Sequence, residues 1–177
     1  VTSYNEFALV TVWDTDAMKG QIAVFALRAT GPKSFSVPYF ALPNEAGFDN
    51  IHLMGYVDLP NMAAPTAIAA SGDNGGTPGG HAIGNEFPSL DDPQKRAAFA
   101  RDDSERWVPD SGTAVVLSKW ENAVTFVDLR PLFQFVRTQY FGSEDSYQKT
   151  NQQNAWPFTF DTNPEAKPIA VTTVAVE

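Results

Sequence analysis

The sequence predicts an all-β protein made of antiparallel hairpins, and three observations carry that prediction. A two-strand pattern occurs twice: ALVTVWDTDAMKGQIAVFALRA from Ala8 to Ala29, and AVVLSKWENAVTFVDLR from Ala114 to Arg130. Each copy is an apolar run, a polar turn and a second apolar run ending in Leu-Arg, and a third apolar run follows each, at Gly55–Leu59 and at Thr172–Val176. Second, the runs are rich in Val, Ile, Thr and aromatic residues, which fit a pleated, half-buried surface. Third, 12 Gly, 13 Pro and 13 Phe among 177 residues suit a turn-rich β chain with a real core.

The elements follow in order. Phe7–Trp13 alternates as a strand, Asp14–Gly20 is a polar turn closed by glycine, and Ile22–Leu27 returns. Residues 28–50, with Pro32, Pro38 and Pro43, read as a loop holding one short extended piece at Ser36–Leu42. His52–Leu59 is the third strand, Pro60–Pro65 a turn, and Thr66–Ala70 a short strand of small residues suited to a crowded position. Ser71–Gly80 is glycine-rich and reads as a flexible surface loop. Asp91 or Asp92 can cap a helix through Gln94–Arg106, with Pro93 in its first turn. Residues 113–119 and 123–129 form the second hairpin, and Leu132–Tyr140 has helical spacing. Residues 142–166 are polar and read as a loop, and Ala170–Val176 is the last strand.

Aligned on Leu27 and Leu129, the hairpins lie 102 positions apart; aligned on Gly55 and Thr172, the third strands lie 117 apart. The difference is loop insertion. Trp13 and Trp120 fall near matching places at the two turns. A repeated multi-strand unit is the signature of a stacked array or a propeller. Pro65-Thr-Ala-Ile-Ala69, Val124-Thr-Phe-Val-Asp-Leu129 and Val171-Thr-Thr-Val-Ala-Val176 together resemble blades of YVTN or lactonase-like β-propellers. The loops at 28–50, 71–112 and 142–166 are longer than that family's compact turns.

The resemblance implies a propeller segment of about two four-stranded blades, the first over residues 7–59 and the second over 65–176, with insertions at 71–112 and 142–166. The expected strands are two, three and four of one blade, then one to four of the next. A closed propeller needs about four to eight blades. The expectation is therefore a segment of a larger chain or assembly, and Val1 at a strand edge without an initiator Met fits it. The resemblance also implies an extracytoplasmic location. The alternative fold is a β-sandwich.

Charge and composition narrow the partners. A net charge of −9 opposes nucleic acid, whose phosphates call for Lys and Arg, and also an anionic membrane surface. No apolar window reaches a membrane span, so no membrane insertion is expected. The absence of Cys excludes disulfides, thiolate nucleophiles and Cys-bound metals.

No Gly-x-Ser-x-Gly, phosphate loop or dinucleotide fingerprint occurs, so no catalytic residue is assigned. His52 and His81 lack a metal-binding spacing to Asp49 or Glu86. Asp14 and Asp16 open like a calcium loop, but Lys19 and Phe25 occupy its required glycine and glutamate positions. With Asp73 and Asn74, they are the candidates for calcium; turn formation explains Asp73 and Asn74 as well. No other cofactor is expected.

The long loops are rich in aromatic residues. Phe35, Tyr39, Phe40, Tyr140, Phe141, Tyr147, Trp156 and Phe158 are the candidate partner-binding residues. The functional expectation is a non-catalytic scaffold or protein-binding module. The alternatives are a segment of a lactonase-like or quinoprotein-like enzyme with a site in a central channel, and a carbohydrate-binding sandwich.

Overall fold

A computed structural model describes residues 1–2, 7–27, 51–71, 93–94, 111–150 and 158–176. Among the described residues the chief element is antiparallel β-sheet, with few helices. Strands β1 (Phe7–Asp14), β2 (Lys19–Ala26) and β3 (His52–Asp58) form a three-stranded sheet in that order. Strands β4 (Ala67–Ala70), β5 (Thr113–Ser118), β6 (Ala123–Asp128) and β7 (Ile169–Ala175) form a four-stranded sheet, again in chain order. All neighbouring strands are antiparallel.

The two sheets share local geometry. Each opens its central hairpin with a four-residue turn, Thr15–Met18 and Lys119–Asn122. The last turn residue is left-handed in both, at φ 51° for Met18 and 47° for Asn122. Asparagine tolerates that conformation better than methionine. Each sheet also carries one β-bulge. Val24 pairs with Gly55 and Phe25 with Leu53, which leaves Met54 as the extra residue. Phe126 pairs with Thr172 and Val127 with Ala170, which leaves Val171. The bulges thus fall 102 positions apart on the central strands and 117 apart on the third strands. Trp13 and Trp120 do not match, because Trp13 pairs with Gly20 inside β1 and Trp120 sits in a turn.

The sheets pack on one another around a single core. Phe7, Leu9, Ile22, Val24, Ala26, Met54 and Val57 come from the first sheet; Ala114, Val116, Ala123 and Val127 come from the second. Helix α1 (Arg130–Arg137) closes one end of it. Asp128 accepts the Arg130 amide at 2.8 Å and Pro131 sits in the first turn, where no N–H is missed. The helix buries Leu132, Phe133, Phe135 and Val136, and the Phe133 ring meets Phe7 edge-on at 5.9 Å. It begins two residues before the expected span and passes into a π-helical turn at Thr138–Gly142.

The crossover from β3 to β4 is tied to both hairpins. The Gly20 amide donates to the Met62 carbonyl at 3.0 Å, and the Leu59 amide to the Gly20 carbonyl at 2.9 Å. On the other side, one oxygen of Glu121 accepts the Ala63 and Ala64 amides at 3.0 and 3.1 Å. The buried Ser118 hydroxyl bonds the Ala64 carbonyl and the Glu121 carboxylate.

The polar segment 142–166 is not all loop. It contains α2 (Glu144–Thr150) and a 3₁₀ turn at Pro164–Ala166. Ser143 caps α2 by accepting the Ser146 amide at 3.1 Å, and Gln148 donates to Glu144 one turn back at 2.7 Å. Pro93 and Gln94 are helical; the rest of the expected helix Gln94–Arg106 and the extended piece Ser36–Leu42 lie outside the described residues.

The connections sort by end. The turns at 15–18 and 119–122 and the crossover at 59–66 occupy one rim, whereas the connections 27–51, 71–112 and 129–168 leave from the other.

Candidate interaction surface

Neighbouring strands of the second sheet align their side chains in rows. On the outer face, Ala67, Leu117, Val124 and Val174 form one row, and Ala69, Val115, Phe126 and Thr172 the next. Leu117 is 46% exposed, Phe126 39% and Val174 49%. A third row is Thr113, Asp128 and Ile169, in which Asp128 is paired with Arg130 at 2.8 Å. An antiparallel sheet with one wet face alternates apolar inside and polar outside. This one is apolar on both, and its outer face is a contiguous hydrophobic patch of the kind that marks an interface.

The first sheet repeats that condition. Its outer face carries Val10, Leu53 and Tyr56, all more than a third exposed. Its inner rows are Leu9, Val24 and Gly55, then Thr11, Ile22 and Val57. Matched through the bulges, these inner rows correspond to Val115, Phe126 and Thr172, and to Leu117, Val124 and Val174. The face that the first sheet buries is therefore the face that the second sheet exposes. The matching residues confirm the sense: Met54 and Val57 are 1% and 2% exposed, while Val171 and Val174 are 63% and 49% exposed.

The inter-sheet surface is fixed by small features. Gly55, at φ 141°, lies against the Phe160 ring, where a Cβ would stand 2.8 Å from Cδ2. Thr125, fully buried, bonds Thr173 at 2.8 Å, and Thr173 bonds the Pro60 carbonyl at 2.8 Å.

A groove of about 950 Å³ lies between Lys19, Asp58, Pro60 and Glu121 at the short-turn rim and Pro164 and Lys167 at the end of the 129–168 connection. Lys19 and Asp58 pair at 2.6 Å across its wall. Gln21 donates to Asp58 at 2.7 Å, and that bond, then Lys19, holds the Asp58 carboxyl below the usual carboxylate value.

The candidate residues fall in different places. Phe158 packs edge-on against Phe135 at 5.1 Å and adjoins the core. Tyr140 and Phe141 lie on the π-helical turn and Tyr147 on α2. Phe35, Tyr39, Phe40 and Trp156 lie outside the described residues, as do Asp73, Asn74 and His81. Asp14 uses one carboxylate oxygen to accept the Asp16 and Ala17 amides at 3.1 and 2.9 Å, which is turn chemistry. Among the described residues, no group of three or more His, Asp or Glu side chains is placed to hold a metal ion, and no helix is long and apolar enough to cross a membrane.

The outer rows escaped the sequence reading, though a signal was present. Ala114–Leu117 is a continuous apolar run, and such runs mark strands covered on both faces. Comparison with protein-family models, with characterised proteins and with solved structures finds no match.

Proposed function

We propose that this chain is a non-catalytic scaffold or protein-binding module, a β-propeller segment that belongs to a larger chain or a multi-subunit assembly. The observation that carries this reading is the shared sense of the two sheets: what the first buries, the second presents. A sandwich of two such sheets sets inner faces together and turns polar faces outward. A same-sense stack is heterologous, and each contact leaves an equivalent face open for the next sheet until a ring closes. In a propeller, four-stranded blades close that ring. The 3-plus-4 strand pattern, in chain order, supports the blade assignment. In this reading the face around Phe126 receives another blade-like sheet. In this reading Phe35, Tyr39, Phe40, Tyr140, Phe141, Tyr147 and Trp156 contribute contacts to protein partners, in an extracytoplasmic setting.

The test is association of the isolated chain. Sedimentation velocity over a wide concentration range is expected to show growing self-association, together with binding of a hydrophobic dye. Leu117→Lys combined with Phe126→Glu is expected to suppress both while leaving far-UV circular dichroism unchanged. A parent chain that stays monomeric and binds no dye overturns the reading.

A further inference from the structure

Among the described residues the first sheet has one strand fewer than the second, and the hydrogen bonds locate the missing position. In the second sheet, Ser71 follows the last residue of β4 and clamps Thr113 at the start of β5. The Ser71 amide donates to the Thr113 carbonyl at 2.9 Å, the Thr113 amide to the Ser71 hydroxyl at 3.3 Å, and that hydroxyl lies 3.4 Å from the same carbonyl. Thr2 treats Phe7 in the same way. The Thr2 amide donates to the Phe7 carbonyl at 2.9 Å, the Phe7 amide to the Thr2 hydroxyl at 3.1 Å, and that hydroxyl lies 3.4 Å from the carbonyl. Thr2 is 2% exposed, so this clamp is part of the folded body.

Phe7 and Thr113 also match through their partners. Phe7 pairs with Ala26 and Thr113 with Asp128, 102 positions further on. Thr2 therefore stands where Ser71 stands, and Val1 where Ala70 ends β4. Among the described residues, β1 pairs with β2 alone. The Phe7 amide points to the free edge, and strand alternation turns the Leu9 and Thr11 amides the same way. An edge of unpaired donors and acceptors is a template for a further strand.

We infer that the free edge of β1 is a strand-addition site. Its occupant is an extended, uncharged segment of alanine-sized and β-branched residues that runs antiparallel to β1 in the register set by the Thr2 clamp. The chemistry is that of β4, whose residues Ala67–Ala70 carry no charge and whose Ile68 and Ala70 pack against the core. Main-chain hydrogen bonds supply the affinity and small side chains fit the space between sheets. The Thr2 clamp makes the first rung, so the register is set before the strand arrives. This inference rests on the blade-like reading of the first sheet.

The full chain tests it, extended ahead of Val1 by a copy of Pro65–Ala69. Amide hydrogen exchange is read at alternating positions of β1. Exchange at Leu9 and Thr11 is expected to slow by about tenfold or more, with Ala8 and Val10 unchanged because β2 already protects them. A second extension, with the copied Ala69 replaced by proline, removes the N–H that faces the Leu9 carbonyl and is expected to return both amides to the parent rate. Leu9 and Thr11 exchanging at parent rates in the first extension overturn the site. Self-association through Phe126 is measured on the same protein, so failure of the edge with association intact is distinct from failure of the stacking itself.

Discussion

The Gly20 amide meets the Met62 carbonyl at 3.0 Å, and through that bond the first hairpin holds the segment that leads into the second sheet. Nothing larger than hydrogen fits on Gly20. A Cβ there would overlap the Met62 carbonyl oxygen and come within 2.9 Å of Pro65 Cδ. Gly20→Ala is expected to destabilise the fold by about 1–3 kcal/mol, because backbone cannot yield as a side-chain end can. Urea unfolding of the two proteins checks it.

Glu121 secures the other side of the same crossover. One of its oxygens serves the Ala63 and Ala64 amides, and the carboxylate also bonds Ser118. Glu121→Ala removes the acceptor from both amides and is expected to cost about 1–2 kcal/mol. Glu121→Gln keeps one acceptor oxygen and is expected to fall between the two. Denaturant midpoints for the three proteins give the ranking.

Phe133 is wholly buried and meets Phe7 edge-on. Phe133→Ala is expected to cost about 3–5 kcal/mol, the range for an aromatic truncated in a packed core. Phe133→Leu retains most of the volume and is expected to cost less. Thermal unfolding of both variants separates lost packing from lost helix.

Asp58 gives a pH dependence of known sign. Gln21 and then Lys19 favour its carboxylate, so its folded value lies below its unfolded one. The stabilisation is fully present above the unfolded value, about pH 4, and is lost as pH falls through the lower folded value. Both partners of the ion pair are about half exposed, so the effect is a few tenths of a kcal/mol. Asp58→Asn is expected to flatten that part of the acid limb. Unfolding free energies measured from neutral pH down to about pH 3 test it.

Much of the fold was legible because strands announce themselves by alternation and turns by glycine and polar clusters. All seven strands lie within two or three residues of their expected bounds. The spacings of 102 and 117 were legible too, since Gly55 and Thr172 adjoin the bulges that fix register and Leu27 and Leu129 follow directly on the strands paired with them. Helix α2 was missed because its polar composition outweighed Ser143, Glu144 and Asp145, which form a capping signal. The candidate surface was missed for a different reason. Loop aromatics drew the reading, yet Phe158 is spent on Phe135, and the open apolar area lies on the strands themselves. A sequence shows that a residue is apolar; only the stacking sense shows which face stays open.

The sorting of connections by rim has a consequence for how such a chain can change. The turns of four residues and the eight-residue crossover, bound by Gly20, Glu121 and Ser118, leave no slack on one side. Every long excursion departs from the opposite side, between strand ends already paired to their neighbours. In the connections 27–51 and 71–112, length can be added or exchanged between those ends, whereas 129–168 carries α1 and Phe160 into the core. The molecule is thus built like a key, with a fixed bow that registers the stack and a blade whose cut is free to vary.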